Sequence, residues 1–281
     1  MTGMGPWGRF AVRLAVIVAL LAVWQLVVSV GLVDEFYLSK PTVVFADLAR
    51  LLAEPAVHQH LLVTSRELLV GLVVGAVAGV AAGLVMGAIP ALYEATSPVI
   101  ATLYTLPRLA LLPLFVLWFG IGEGSKVALV VSLVFFSMLL NTYSGMRGVD
   151  RSLVDAVRLM GGGRWAVLRE VTLPAIAPWL VAGLRISLVF AVTGSVVGEM
   201  MVSKEGLGFL LIQKSGTFDT AGVLAILVIV AVVANVLDVL FSAVEKRARR
   251  WSRDGTGGAA PAPRRLRSRS GGTRTMQGTA A

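Results

Sequence analysis

The sequence predicts an all-α, polytopic membrane protein with six transmembrane helices. Three observations carry that expectation. Of its 281 residues 57% are hydrophobic and only 15% charged, with a mean hydropathy of +0.83. A soluble domain carries about 25% charged residues, and at this composition it would expose aggregating patches. Six segments reach or approach the roughly 20 apolar residues that a helix needs to cross the hydrocarbon core. Lys and Arg, finally, fall mostly in alternate connections between those segments.

The predicted spans are Leu14–Val33, Leu68–Ile89, Ser97–Phe119, Val127–Tyr143, Trp179–Met201 and Ala221–Ala243. The first follows Arg9 and Arg13 but is longer than the apolar core of a signal peptide, and no clear cleavage site follows it. With the N-terminus inside, segments 1–13, 90–96, 144–178 and 244–281 carry 17 Lys and Arg, against 6 in the outer connections. That bias places both termini of a multi-pass membrane protein on the cytoplasmic face. Segment 1–13 is then a cytoplasmic N-terminus, and 14–243 the six-span domain.

The outer connection contains "KPTVVFADLARLLAEPAVHQHLL", with apolar residues at helical spacing from Val43 to Leu52. It predicts an amphipathic segment, 41–60, at the outer surface. His58 and His60 within it read as solvated rather than as metal ligands, and no metal site is expected. The chain has no cysteine, which excludes disulfides, zinc–thiolate sites and a cysteine nucleophile. The net charge of +9 comes mostly from the tail 244–281, so it is no nucleic-acid footprint. The Gly, Ala, Pro, Ser and Arg of that tail cannot bury a core, which predicts disorder, with arginines available to anionic lipid.

In the second span, "GLVVGAVAGVAAGLVMG" places Gly71, Gly75, Gly79, Gly83 and Gly87 four residues apart. Small residues at that spacing form a groove into which another helix can settle closely. A helix of the same chain and the seam of a dimer are both open as occupants.

Between the fourth and fifth spans lies "DAVRLMGGGRWAVLREVTLP", Asp155 to Pro174. Asp150–Met160 predicts a short helix capped by Asp150, with Leu153, Val157 and Met160 near one face. The glycines at 161–163 stop it, since glycine accepts the left-handed conformation of a tight end. A second short helix, Arg164–Leu173, carries Trp165 and Leu168 on one side and is closed by Pro174. The result is a cytoplasmic elbow bearing an apolar knob fringed with charge, a surface suited to docking a soluble partner.

This stretch resembles the loop of permease subunits of bacterial ATP-binding-cassette (ABC) importers. That family carries Glu-Ala-Ala, three residues, Gly, nine residues, then Ile-x-Leu-Pro. Here Asp155-Ala156-Val157 stands at the first triplet, Gly161 follows after three residues, and Val171-Thr172-Leu173-Pro174 follows nine later. "LPRLALLPLFVLWFGIG", "NTYSGMRGVD" and "GLRISLVFA" are similar to the branch that imports aliphatic sulfonates, taurine and nitrate.

The resemblance implies a type I importer permease-like (MetI-like) bundle. It also implies two permease copies, two ABC ATPase subunits docked on the loop 150–174, and an extracytoplasmic substrate-binding protein. Asp155, Ala156, Val157, Gly161, Val171, Leu173 and Pro174 become the ATPase-coupling residues. The chain itself is then no enzyme and binds no cofactor, and ATP is used by the partner. Consistent with that, it has no G-x-x-x-x-G-K-[ST], and "GIGEGSK" at 120–126 departs from it.

Charged residues inside spans are pathway candidates, because each costs about 2.5–3.5 kcal/mol at a span centre on insertion scales. Arg108 lies near the midplane of the third span, flanked by Pro107 and Pro113. Its charge favours a small anionic solute. Glu199, near the outer end of the fifth span, is a candidate for the outer gate or for an arginine pair. Arg185 reads as snorkelling, or as paired with Asp238 or Glu245. Two alternatives stay open. One is an ion-coupled secondary transporter, which leaves the elbow unexplained. The other is an importer permease for a neutral or cationic molecule such as a thiamine precursor. An intramembrane enzyme is disfavoured, since the spans contain no His and no Cys.

Overall fold

The computed structural model describes residues 6–254. In chain order the helices are α1 (Pro6–Ser29), α2 (Pro41–Ala53), α3 (Pro55–Ala88), α4 (Pro90–Thr105), α5 (Leu112–Phe119), α6 (Glu123–Arg147), α7 (Arg151–Leu159), α8 (Arg164–Ala166), α9 (Leu173–Val202), α10 (Leu207–Gly216) and α11 (Thr220–Asp254). No strand occurs among the described residues.

The glycine face of α3 decides the centre of the bundle. A Cβ on Gly71 would meet Val130, on Gly75 Val134, on Gly79 Met138, on Gly83 Thr142 and on Gly87 Met146. Each rung pairs residue i of α3 with residue i+59 of α6. The groove is therefore filled by a helix of the same chain, and the two run parallel. Where lipid offers no hydrophobic drive, this close approach supplies the packing contacts instead. On its other side α6 packs antiparallel to α9, with Gly145 against Trp179, Gly183 against Asn141 and Gly194 against Leu133.

Parallel α3 and α6 settle the number of crossings. Five helical segments are long and apolar enough to span a bilayer, while Pro90–Thr105 and Arg108–Phe119 form a pair bent by 86°. At one end α3 and α6 are tied by Arg66 and Glu123, 3.2 Å apart. At the other end Tyr93, in the first turn of α4, stacks on Tyr143 near the end of α6. Between Gly87 and Glu123 the chain must therefore return along about 30 Å of α3, the rise of some 20 helical residues and the thickness of the hydrocarbon core. The bent pair makes that return, giving six crossings.

The third span is thus broken rather than continuous. Leu106 is extended, as the residue before a proline prefers. A 3-10 turn, Arg108–Leu111, follows, and α5 starts with Pro113 in its first turn, where no N–H is missed. The outer segment 41–60 also divides. Glu54 is extended before Pro55, so α2 stops at Ala53 and residues 55–60 begin the 34-residue α3. The last span's helix continues to Asp254, past the apolar run that ends at Ala243, so residues 244–254 are helical and not the disordered tail expected from composition. The remainder of that tail, 255–281, lies outside the described residues.

Three apolar clusters organise the interior of the described residues. The central one joins Leu68 and Leu72 of α3, Val130, Val134 and Met138 of α6, and Leu188 and Ala191 of α9. The peripheral one joins Val44 and Leu51 of α2, Val57 of α3, Leu207, Leu210 and Leu211 of α10, and Ala225, Ile226 and Ile229 of α11. The third joins Leu112 of α5 with Leu129 and Leu133 of α6. Helix α1 stays at the edge, with an exposed apolar side chain on most turns and a link to α2 through Gln25 and Thr42. Such a face is stable against lipid, not water.

Candidate functional site

At the α7 end the elbow is built largely as the sequence suggests. The Asp150 carboxylate accepts the Ser152 N–H at 2.8 Å and caps α7. The Ser152 N–H and hydroxyl hold that carboxyl below the usual carboxylate range. A depressed carboxyl pKa contributes above the unfolded value and loses its contribution as pH falls through the folded one. The cap is therefore intact at neutral pH and lost only in acid. Replacing Asp150 with Ala is expected to raise amide hydrogen exchange in Arg151–Leu159 severalfold at neutral pH, with little change in α6 or α9. Unchanged exchange in α7 would refute the cap.

Gly161 takes φ +82 with nothing within 4 Å of a Cβ at that position, so the left-handed backbone and not crowding selects glycine. The Gly162 N–H returns to the Val157 carbonyl at 2.9 Å and closes the turn. Leu159 is 88% exposed and Trp165 72%, with Met160 and Leu153 also exposed. Asp155, Ala156, Leu173 and Pro174 are exposed, Val157 is half-buried and Val171 is buried. Of the seven sequence-derived loop residues, Asp155, Ala156, Val157 and Gly161 lie on this elbow, Val171 in the turn that joins it to α9, and Leu173 and Pro174 at the start of α9.

One element differs from expectation. Pro174 does not close the second short helix. Residues 167–172 form a π-helical turn that runs straight into α9, and the Leu173 N–H bonds the Leu168 carbonyl. A proline ring collides with the carbonyl four residues earlier and offers no N–H. Widening the turn by one residue relieves both problems and keeps the helix continuous. The elbow is thereby joined rigidly to a membrane span.

At the break in the third span, Arg108 donates from Nη1 to the Leu133 carbonyl at 3.2 Å and from Nη2 to the Tyr104 carbonyl at 3.4 Å. Its guanidinium carbon lies 4.7, 5.4 and 6.0 Å from the rings of Tyr104, Phe136 and Phe190. Pro107 and Pro113 bracket it and are exposed. Arg185 donates to Ser242 Oγ at 3.1 Å on α11; the Glu245 side chain lies outside the described residues.

Glu199 does not pair with Arg108, whose hydrogen bonds go to backbone carbonyls. It is fully buried at the α10 end, where its Oε2 accepts the Gly208 N–H at 2.7 Å. Beside it lies a pair that sequence reasoning missed. Glu67 and Lys126, 2% and 3% exposed, form an ion pair. Each stands just outside a predicted span, where a charge is unremarkable. A signal was nevertheless present: Glu67 continues the stripe of Gly71 and Gly75 by one turn, and Lys126 continues that of Val130 and Val134. The pair is the next rung of the same ladder. His60 is likewise not simply solvated, since its Nδ1 accepts the Gly206 N–H at 2.9 Å.

Apolar helices that make six crossings, a compact exposed elbow at one end and a broken, arginine-bearing span make the chain a polytopic membrane protein. Residues 71–250 match the family described as binding-protein-dependent transport system inner membrane components. The chain belongs to that family and is a permease subunit of an ABC transporter. It is 38% identical to the riboflavin transport system permease protein RibX of Chloroflexus aurantiacus, over 83% of this chain and 87% of that one. It is 30% identical to the putative aliphatic sulfonates transport permease protein SsuC of Bacillus subtilis, over 83% and 84%, and 30% identical to the taurine transport system permease protein TauC of Escherichia coli, over 86% and 90%. Its fold is similar to an inward-facing MetNI methionine ABC transporter structure, with a TM-score of 0.58, 20% identity, and coverage of 68% of this chain and 93% of that one.

Proposed function

We propose that two copies of this chain form the pathway of a bacterial inner-membrane importer, with the α7 end and both termini in the cytoplasm. Two ABC ATPase subunits grip the elbow, and a binding protein delivers solute to the α10 end. The observation that supports this reading most is the elbow itself. It presents exposed Leu159, Met160 and Trp165 around a left-handed Gly161, and the π turn carries its motion into α9. Asp155, Ala156, Leu173 and Pro174 complete the exposed coupling surface, with half-buried Val157 and buried Val171 packed behind it.

Replacing Gly161 with Val is expected to abolish co-purification of the ATPase and reduce ATP-driven uptake to background, while the bundle keeps its thermal stability. A β-branched residue at positive φ is strained, so the turn cannot form. Uptake by vesicles holding this chain alone would end the proposal.

For the solute, Arg108 with Pro107 and Pro113 at the broken span favours a small anion such as an aliphatic sulfonate, taurine or nitrate. Glu199 stands at the outer end of the same path. A second reading rests on the rings around Arg108. Phe136 faces its guanidinium and also lines an aromatic groove between α5 and α6 with Phe115, Trp118 and Phe135. Arginine stacks on flat conjugated surfaces as well as pairing with anions. A planar heteroaromatic solute fits those rings, and the riboflavin relative agrees with it. Thermal-shift screening of the partner binding protein separates the two. Stabilisation by sulfonates alone supports the first, by flavins alone the second, and by neutral or cationic ligands alone neither.

A further inference from the structure

Three helices meet in a buried charged cluster at the α10 end. Glu67 of α3, Lys126 of α6 and Glu199 of α9 are 2%, 3% and 0% exposed. The Lys126 ammonium donates to Glu67 Oε1 and, at 3.0 Å, to Ser203 Oγ. Glu199 Oε2 accepts the Gly208 N–H at 2.7 Å. That leaves one oxygen of each acid, Glu67 Oε2 and Glu199 Oε1, buried and without a donor among the described residues. The two carboxyl groups also lie within hydrogen-bonding reach of one another.

Ionised carboxyl groups can only accept. With both ionised, the cluster sets two negative charges against one positive. The groups packed around it supply no second cation. On α3, His60 Nδ1 accepts the Gly206 N–H at 2.9 Å, so that nitrogen carries no proton and the ring is neutral. Thr64, beside Glu199, accepts the Leu207 N–H at 2.8 Å and gives its one hydroxyl proton to the His60 carbonyl at 3.1 Å. Turning that proton to Glu199 leaves Glu67 Oε2 unpartnered and the charge unbalanced. Arg66 is exposed and paired with Glu123 at 3.2 Å, and Glu123 adds only negative potential toward Glu67. In the turn after α9, Lys204 and Glu205 are exposed. Among the described residues no three His, Asp or Glu side chains are placed to hold a metal ion. Packing is tight as well, since a Cβ on Gly206 would overlap the Glu199 carboxyl. A proton is the one cation that needs no room of its own.

We infer that Glu67 and Glu199 share one proton, which makes the meeting point of α3, α6 and α9 a proton-binding site that is electrically neutral while filled. The proton comes from the medium as the chain folds. It turns one carboxyl into an O–H donor to the other, gives both leftover oxygens a partner and cancels the second negative charge. Buried charge is tolerated when it is paired and hydrogen-bonded, and the filled site meets both conditions. Base that removes the proton leaves one uncompensated negative charge between three helices and loosens that joint.

Infrared spectroscopy of the full chain in lipid vesicles at neutral pH reads the proton directly, because the carbonyl stretch of a carboxylic acid is separate from that of a carboxylate. One acid band is expected in the wild type and in neither Glu199→Gln nor Glu67→Gln, because each variant leaves a single acid to pair with Lys126. Thermal unfolding supplies the second measurement. Gln has the shape of the protonated acid, so Glu199→Gln is expected to match or exceed the wild-type midpoint at neutral pH. Relative to that variant, the wild-type midpoint is expected to fall as pH rises from mildly acid to neutral. A chain that takes up one proton on folding loses a factor of ten in its folding equilibrium for each pH unit. The shared proton is overturned if neither substitution removes an acid band, the result that two charged carboxylates bridged by water give. It is equally overturned if only one of them removes the band, since that acid then holds the proton alone. Wild-type and Glu199→Gln midpoints that run parallel across pH overturn it as well.

Discussion

Replacing Lys126 with Met is expected to destabilise the bundle by about 3–5 kcal/mol, the cost of breaking a buried ion pair by removing one partner. Lys126 and Glu67 are both almost fully buried and bonded to one another. Without the ammonium, the buried Glu67 carboxylate loses its ion-pair partner, and Glu199 close by supplies only a second acid. The loss belongs to the stranded charge and not to the pair. Converting both residues to neutral groups of similar size, Lys126→Met with Glu67→Gln, is therefore expected to recover most of it. Thermal unfolding of the detergent-purified protein, followed by size exclusion, measures both variants. If the double variant were as unstable as the single one, the stranded charge would not be the cause.

The second large effect is expected at Gly79. A Cβ there would lie 2.5 Å from the Phe135 carbonyl oxygen and 2.8 Å from Met138 Cβ. The first of these is backbone, which cannot swing aside as a long side chain does. Relief requires α3 and α6 to separate, and a separation at the middle rung loosens those above and below it. Overpacking one residue in a rigid interior costs about 1–3 kcal/mol, and several shared rungs place Gly79→Val at or above the top of that range. Gly216 is a fair control, with open space around its Cβ position. Gly216→Ala is expected to change stability by less than about 0.5 kcal/mol, as surface substitutions do. Equal thermal midpoints for Gly79→Val and Gly216→Ala would refute the ladder.

The elbow was legible in the sequence because its signals are local. Asp150 caps a helix two residues away, Gly161 turns the chain at its own φ, and the apolar residues of α7 recur at helical spacing. The π turn before Pro174 was not legible. It depends on whether the chain beyond the proline continues as helix, and that is set by the packing of Ile176 and Trp179 on the bundle. In the same way the third span reads as continuous despite Pro107 and Pro113, and its 86° break comes from where α5 finds α6. Glu67 and Lys126 read as span boundaries because each charge, taken alone, marks the edge of an apolar run. Only their shared register turns them into an interior pair.

Composition and periodicity by themselves determined that this chain crosses the membrane several times, and that a compact, charge-fringed elbow joins the fourth predicted span to the fifth. These follow from the cost of placing polar groups in hydrocarbon and from short-range backbone preferences, both of which act residue by residue. Tertiary structure alone decided which helix fills the glycine groove, that α3 and α6 run parallel, and that His60, Thr64 and Glu199 cap a helix 146, 143 and 9 residues further along the chain. Those outcomes depend on the matching of distant surfaces, where a hydrogen bond or a close approach exists only once two remote segments share one register.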